Sequence, residues 1–252
     1  MLYEITFSPT GGTKKAAQML SEAWDCDKRE VDLLKPVLAN HAPIIKPEDI
    51  CIVSVPVFSG RLPQTAAERL QKLKGNGAKA VAMVVYGNRA IDDALVELQD
   101  ILENTGFSII AGVEAIAEHS IARQFAAGRP DHSDEAVLRD FGEQIRAKLK
   151  RYDWSEPLFF PGNRPYMDYG AGPQPKADDA CISCGYCVME CPVGAIPVEA
   201  PYTTDPQMCI SCMRCISVCP KGARHLDPVQ LHGVEDFLAP LCSDRKQNKL
   251  YI

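Results

Sequence analysis

Two stretches of the chain repeat one cysteine spacing. Residues 181–196 and 209–224 both contain the pattern C-x2-C-x2-C-x3-C-P, and nine of their sixteen aligned positions are identical. Eight of the 11 cysteines lie in these two stretches, whereas Cys26, Cys51 and Cys242 are scattered. This duplication predicts a small module whose halves are related by an approximate twofold axis.

The spacing also predicts how the eight cysteines group. Three thiolates from one tight loop can reach three corners of an iron–sulfur cubane, and the fourth, which precedes a proline, points to the neighbouring cluster. One [4Fe–4S] cluster is therefore assigned to Cys181, Cys184, Cys187 and Cys219, and the other to Cys209, Cys212, Cys215 and Cys191. Because each cluster needs both halves, we expect metal assembly and folding to be coupled. Over about residues 178–226 the chain resembles the two-cluster bacterial-type ferredoxins.

Zinc binding and disulfide pairing fit this cysteine pattern less well. Zinc sites usually combine two C-x2-C pairs that lie about 15–20 residues apart, not four-cysteine runs that end twice in Cys-Pro. A disulfide framework belongs to an oxidising compartment. The N-terminus, MLYEITFSPT, has no basic segment followed by an apolar stretch, so it predicts no signal peptide and a cytoplasmic chain.

Charge and composition exclude some partners. The net charge of −6 and the lack of a basic stripe interleaved with aromatic residues argue against nucleic acid. No window approaches 18 consecutive apolar residues, so no membrane span is expected. An acidic chain suits docking to a redox partner protein with a basic surface. The ferredoxin resemblance implies a low-potential couple, and the oligomeric state stays open.

Residues 1–150 alternate apolar runs with amphipathic stretches. The runs are nearly continuous and rich in β-branched residues, as in strands that are buried on both faces. They predict strands at 2–7, 28–34, 51–56, 79–86 and 107–116. Helical patterns lie at 13–24, 63–74, 91–104 and 134–150. This alternation predicts an α/β fold with a doubly wound, parallel, five-stranded sheet.

The remainder divides into two parts. Residues 151–177 are rich in proline, glycine and aromatic residues, which predicts a linker packed along a surface, because flexible linkers are usually polar. Residues 178–252 are expected to form a small α+β ferredoxin-like domain with two [4Fe–4S] clusters, followed by a helix near 228–241 and a C-terminal tail.

The first predicted strand leads into FSPTGGTKKAA, residues 7–17. Hydroxyl groups, curled backbone and a helix N-terminus can converge there on one anion, which selects Ser8, Thr10, Gly11, Gly12 and Thr13. The loop lacks the patterns of triphosphate and dinucleotide sites, so NAD(P)H is not expected to bind. The sequence S-x-T-G-x-T after a first strand resembles the phosphate loop of flavodoxins. This resemblance implies FMN.

Ligands of such sheets lie beyond the carboxyl ends of the strands. The loops at 56–63 and 86–93 should therefore supply the remaining FMN contacts, from aromatic ring faces and from small or polar residues. The candidates are Phe58, Ser59, Gly60, Tyr86, Gly87, Asn88 and Arg89.

Three further residues near this edge have two interpretations each. Arg61 and Arg89 either stabilise a reduced flavin or an anionic substrate, or are solvated surface residues. His119 follows the last predicted strand and either relays a proton to flavin or makes a structural hydrogen bond to the backbone.

The whole chain resembles flavodoxin–ferredoxin fusion proteins, found among anaerobes. This resemblance implies an electron transfer protein that relays low-potential electrons between two [4Fe–4S] clusters and an FMN. The alternative is an enzyme, an FMN-dependent reductase of a small molecule, fed by its own clusters. A third possibility is a front domain without FMN that serves as a docking platform.

Overall fold

A six-stranded sheet forms the framework of the chain in this computed structural model, which describes residues 1–37, 42–151 and 158–252. Five of its strands are parallel. They are β1 (Leu2–Thr6), β2 (Lys28–Asp32), β3 (Ile50–Pro56), β4 (Lys79–Tyr86) and β5 (Ser108–Ile116). Their order in the sheet is β2-β1-β3-β4-β5, which is that of flavodoxin-like folds. The predicted doubly wound α/β fold is confirmed.

Helices cover both faces of the sheet. They are α1 (Gly12–Ser21), α2 (Gln64–Leu70), α3 (Ala94–Asn104) and α4 (His132–Arg151). On one face, Ile52 belongs to a buried cluster with residues of α1 and α4. On the other face, the next residue, Val53, packs with residues of α2 and α3. Both sides of the strands are therefore buried, which explains their nearly continuous apolar sequence.

The sixth strand was not predicted. The C-terminal residues form β8 (Lys249–Tyr251), which pairs antiparallel with the outer edge of β5. Asn248 fixes this pairing, because its side-chain oxygen accepts a hydrogen bond from Ile116 N–H at 3.0 Å and its amide donates to Asp134 at 3.0 Å. The end of the chain thus returns to the first sheet, in contrast to the predicted division that placed it with residues 178–252.

The segment from residue 158 onward lies along α3; residues 152–157 of the predicted linker are outside the described part of the chain. The buried carboxylate of Asp93 accepts hydrogen bonds from the backbone N–H groups of Asn163 at 2.8 Å and Met167 at 2.7 Å. Arg164 pairs with Asp100 of α3 at 2.5 Å. These contacts tie the segment to the front domain, as its aromatic content predicts.

The cysteine-rich module is built from two similar halves. The short helices α5 (Tyr186–Met189) and α6 (Arg214–Ser217) lie beside a two-stranded antiparallel sheet of β6 (Lys176–Ala177) and β7 (Arg224–His225). Residues 28 positions apart share unusual backbone angles: φ is 52° at Ser183 and 53° at Ser211. A longer helix, α7 (Pro228–Leu238), follows. Within the described residues, every helix is too short or too polar to cross a membrane.

Candidate cofactor sites

Each half of the module supplies cysteines to two small cavities. We call them the distal cavity, lined by Cys181, Cys184, Cys187 and Cys219, and the proximal cavity, lined by Cys191, Cys209, Cys212 and Cys215. Each cavity thus brings together three cysteines of one motif and the last cysteine of the other. All eleven cysteines of the chain are free thiols.

The arrangement of the thiols suits a cluster better than a single ion. In the part of the chain that the structure describes, no three His, Cys, Asp or Glu side chains converge as ligands of one metal ion. A zinc ion needs its thiolates at about 2.3 Å from one centre. A cubane, in contrast, spreads its four thiolates over four iron corners. Four thiols placed around a cavity are what the second arrangement requires.

Two of the four proximal cysteines, Cys212 and Cys215, are buried. Burial raises the pKa of Cys212 to about 12 and that of Cys215 to about 11. Metal ligands must be thiolates, so metal binding here releases protons and provides the positive charge that these buried groups need. Backbone N–H groups also point at sulfur: Ala195 N–H donates to Cys191 Sγ at 3.3 Å, and Ser211 N–H donates to Cys209 Sγ at 3.4 Å. Such hydrogen bonds tune reduction potentials.

A larger cavity lies at the carboxyl ends of the parallel strands. Its volume of about 390 Å³ falls within the roughly 300–1,000 Å³ that is typical of small-molecule sites. Six of the predicted FMN contacts line it: Phe58, Ser59, Gly60, Tyr86, Gly87 and Arg89. The side chain of Arg89 also forms an ion pair with Asp92.

A smaller cavity of about 60 Å³ lies at the N-terminus of α1 and is lined in part by Thr10, Gly12 and Thr13. It shares Phe58, Tyr86, Gly87 and His119 with the larger cavity, so the two adjoin. Gly11, with φ of 92°, precedes α1 and has no side chain with which to cap the helix, and no acidic residue lies in the first turn. Free N–H groups and the helix dipole therefore favour an anion.

Two of the predicted loop residues lie outside the lining of this smaller cavity. The Ser8 hydroxyl accepts a hydrogen bond from Lys14 N–H at 2.9 Å, and Gly11 contributes through its backbone turn. Several lining residues were not predicted, among them the acidic residue Glu118. Burial acts to raise its pKa, but hydrogen bonds from Gly128 N–H and Arg123 outweigh burial and hold the pKa of Glu118 below its ordinary value.

Two other residues predicted near the flavin have structural partners instead. The side-chain amide of Asn88 donates to the carbonyl oxygens of Cys242 at 3.0 Å and Asp244 at 2.7 Å. Asn88 thereby fastens the C-terminal segment and lines neither cavity.

Arg61 is likewise committed elsewhere. Its guanidinium pairs with Glu97 of α3 at 2.7 Å and lies over the rings of Tyr166 at 4.7 Å and Tyr169 at 4.3 Å. The hydrogen bond to Glu97 raises the pKa of Arg61 further. Arg61 therefore joins the 158–175 segment to the front domain, and the anion-binding role considered from the sequence is not supported.

His119 lines both cavities but is held by the backbone. Its Nδ1 accepts hydrogen bonds from the N–H groups of Ile121 at 3.2 Å and Ala122 at 3.1 Å. These two donors fix Nδ1 as unprotonated and leave the proton on Nε2. Burial, and then the positive charge of Arg89, lowers the pKa of His119 to about 4. At neutral pH it is a neutral hydrogen-bond donor, which favours the structural interpretation over the proton relay.

This low pKa predicts a pH-dependent stability. The unfolded chain protonates His119 below about pH 6.5, whereas the folded chain resists protonation until about pH 4. The contribution of neutral His119 to the free energy of unfolding is fully present above pH 6.5 and is lost as the pH falls. We expect acidification from pH 7.5 to 5 to cost the wild type about 2 kcal/mol more than His119→Asn, which keeps an acceptor. Thermal unfolding followed by circular dichroism measures this difference.

The matched control is His132→Asn, at a histidine whose side chain is 97% exposed. This variant should follow the wild type at both pH values. Equal acid sensitivity of His119→Asn and the wild type would contradict the assignment of this stability change to the low pKa of His119.

The wall between the proximal cavity and the larger cavity is one short stretch of chain. Residues 209–213 line the proximal cavity through Cys209, Ile210, Cys212 and Met213. Ile210 and Ser211 also line the larger cavity, and Cys212 lines the smaller one. Two cavities that the sequence assigns to different domains are therefore separated by a single loop.

Cross-domain contacts hold this wall in place. Arg214 donates to the carbonyl oxygen of Pro9 at 3.1 Å, and the buried Arg69 donates to the carbonyl oxygen of Pro192 at 2.5 Å. Gly172 lies so close to the cluster loop that a Cβ atom there would be 2.7 Å from Ser211 Oγ. The two domains are thus packed together at this wall.

Several residues that line the larger cavity were missed by the sequence analysis. They come from the segment after Met167 and from α7, and include Gly170, Gly172, Val234, Phe237 and Leu238. Of these residues, only those in the run Gly-Ala-Gly at 170–172 could have been suspected from the sequence, because glycine permits close approach of backbones.

Comparison with known proteins identifies a family in one part of the chain. Residues 180–223 match the family model of the 4Fe-4S dicluster domain. No curated protein matches the chain.

Several solved structures are similar to part of this chain. Rubredoxin:oxygen oxidoreductase from Desulfovibrio gigas is 20% identical, with a TM-score of 0.43, over 60% of this chain and 36% of that one. This chain thus spans about a third of the oxidoreductase. A flavodoxin from the domain Archaea is 15% identical (TM-score 0.40, 60% and 99% of the chains), and the Streptococcus pneumonia TIGR4 flavodoxin is 20% identical (0.42, 59% and 99%).

The strand order itself defines the front domain as flavodoxin-like. The chain is therefore a fusion of a flavodoxin-like domain with a 4Fe-4S dicluster domain. This combination supports an electron-transfer or flavin/iron–sulfur redox role.

Proposed function

We propose that this chain passes electrons between two [4Fe–4S] clusters and one FMN. Cys181, Cys184, Cys187 and Cys219 would hold the distal cluster, and Cys209, Cys212, Cys215 and Cys191 the proximal one. The observation that carries the proposal is the shared wall at residues 209–213, since this one stretch lines both the proximal cavity and the cavities at the strand ends. The order of transfer is distal cluster, proximal cluster, flavin.

The front domain's residues fit FMN. The smaller cavity would take the phosphate on the backbone N–H groups of Thr10, Gly12 and Thr13. The adjoining larger cavity would take the ring, with Phe58 and Tyr86 available for stacking. Bound FMN supplies a centre that accepts electrons singly or in pairs, whereas each cluster accepts one at a time.

Electrons would enter at the distal cluster. Cys184 is exposed, and its neighbours Ile182 and Tyr186 are 59% and 43% exposed. An apolar patch beside a cluster ligand suits a brief contact with a redox partner protein. The net charge of −6 favours a partner with a basic surface.

Rapid mixing tests the relay. Anaerobically purified protein should contain iron, sulfide and about one FMN per chain, and should be mixed with a one-electron, low-potential viologen. We expect the cluster absorbance to bleach first and the flavin to follow at a rate independent of protein concentration. A chain with clusters that neither contains nor binds FMN would overturn the proposal, as would a flavin rate proportional to protein concentration.

One observation favours a second candidate, an FMN-dependent reductase of a small molecule. The larger cavity is lined by Val234, Phe237 and Leu238 of α7 and by the segment after Met167, which would give the ring a partial cover. A reductase needs such a cover to exclude water from its substrate. Anaerobic turnover of a small acceptor by the reduced protein, weakened by Phe237→Ala with FMN retained, would favour the reductase over the carrier.

A further inference from the structure

Arg224 is a buried cation whose partners are uncharged. The residue is 2% exposed. Its guanidinium donates to the carbonyl oxygens of Pro201 at 2.6 Å, Pro175 at 2.8 Å and Thr203 at 3.1 Å, and also to the Thr204 hydroxyl. Its Nε has no partner among the described residues. Removal of a guanidinium from water is unfavourable unless a negative charge compensates it. No carboxylate is among the partners that the described chain provides.

The position of Arg224 indicates which groups would supply the compensating negative charge. Arg224 lines the distal cavity, and its Nη1 lies 3.8 Å from Cys187 Sγ. Cys187 and Cys215 belong to one buried cluster with Ile196. The guanidinium therefore contacts a distal thiol that packs in the same cluster as a proximal one.

The internal repeat shows that a cation is not needed for packing. In the alignment of the two motifs, Arg224 corresponds to Ile196. Both residues are buried, at 2% and 3% exposure, and Ile196 lines the proximal cavity as Arg224 lines the distal one. An apolar side chain thus fills the equivalent place in the other half, so packing alone does not account for the charge of Arg224.

We propose that Arg224 is a fixed positive charge shared by the two clusters, which raises both reduction potentials and lets the module hold two electrons together. The inference rests on the proposed function. Four thiolates make each cluster site negative, and an added electron makes it more so. A buried cation stabilises the reduced form of each cluster and offsets the repulsion between two reduced clusters. A module that holds two electrons matches a flavin that takes two.

A redox titration followed by electron paramagnetic resonance tests this role on the full chain. In Arg224→Gln, we expect the equilibrium constant for reduction of each cluster to fall at least about tenfold, which is about 59 mV for one electron. Arg224→Lys keeps the charge and should stay near the wild-type potentials. The matched control is Lys221→Gln, which removes an exposed cation that also lines the distal cavity. Water and salt screen that charge, so the shift should be much smaller.

Potentials and iron content together separate an electrostatic role of Arg224 from a scaffold role. Unchanged potentials in Arg224→Gln, with both clusters present, would overturn the inference. Loss of iron from Arg224→Gln, with iron and wild-type potentials retained in Arg224→Lys, would support the inference, because lysine keeps the positive charge and glutamine removes it. Iron lost from both variants would make Arg224 a scaffold residue and overturn the inference. A wild-type chain without iron–sulfur signals would overturn the proposed function itself.

Discussion

Cys191→Ala is expected to abolish the proximal cluster, remove about half of the iron and stop reduction of the flavin by the clusters. Cys191 belongs to the first motif, but it lines the proximal cavity with Cys209, Cys212 and Cys215. Without it the proximal cluster lacks its fourth thiolate. The distal cluster keeps all four of its ligands, so an electron can still enter but has no further centre within the module. Iron analysis, paramagnetic resonance and rapid mixing measure the three effects.

Cys219→Ala is the matched control, because Cys219 is the equivalent residue of the second motif and lines the distal cavity. It should lose the same share of iron, but retain the proximal cluster and flavin reduction by a small donor. The crossed assignment would be wrong if the Cys191 variant kept the proximal signal. The order of the relay would be wrong if that variant still reduced its flavin within the chain.

Gly12→Val is expected to weaken FMN binding at least about 100-fold, or about 2.7 kcal/mol, with both clusters retained. Gly12 begins α1 and lines the smaller cavity. A Cβ atom there would lie 3.0 Å from Ala117 Cβ, and the valine methyl groups would occupy the space next to the N–H donors. Hydrogen bonds from N–H groups to a charged phosphate contribute about 1.5–3 kcal/mol each. Titration of flavin-free protein, followed by flavin fluorescence, measures the affinity.

Gly233→Val is the control for that change. Gly233 lies in α7, and a Cβ atom there meets no atom within 4 Å. The same side chain in open space should leave FMN affinity as it is. Wild-type affinity in Gly12→Val would show that the phosphate does not bind at the start of α1.

The sequence predicted the elements that local pattern determines. The strands around Ile52 and Val53 are apolar on consecutive residues because each face of the sheet packs against helices, and that pattern is visible without a structure. β8 escaped prediction because a three-residue strand has no periodicity. Its pairing depends on the Asn248 side chain, which contacts residues more than a hundred positions away.

The residues of the candidate site also divide into those that local sequence predicts and those whose contacts depend on tertiary packing. The spacing of eight cysteines is local, and it groups them as the two cavities do. Arg61 and Asn88 were placed near the flavin because they follow strand ends, but their partners Glu97 and Cys242 lie 36 and 154 positions along the chain. Only tertiary packing selects such partners. One feature of the sequence could have indicated Arg224: it is charged, whereas the corresponding residue of the other repeat, Ile196, is apolar.

The sixth strand makes the ferredoxin module an insertion in the flavodoxin-like fold rather than an appendage to it. Both ends of the module are anchored, one by the segment along α3 and the other by β8 on the edge of β5. A single protease cut between residues 158 and 175 would therefore leave the ferredoxin module associated with the flavodoxin-like fold. During synthesis, Lys249–Tyr251 leave the ribosome after every cysteine has been made. The outer edge of β5 stays uncovered until then, so the first sheet is completed only after the cluster module is available for iron.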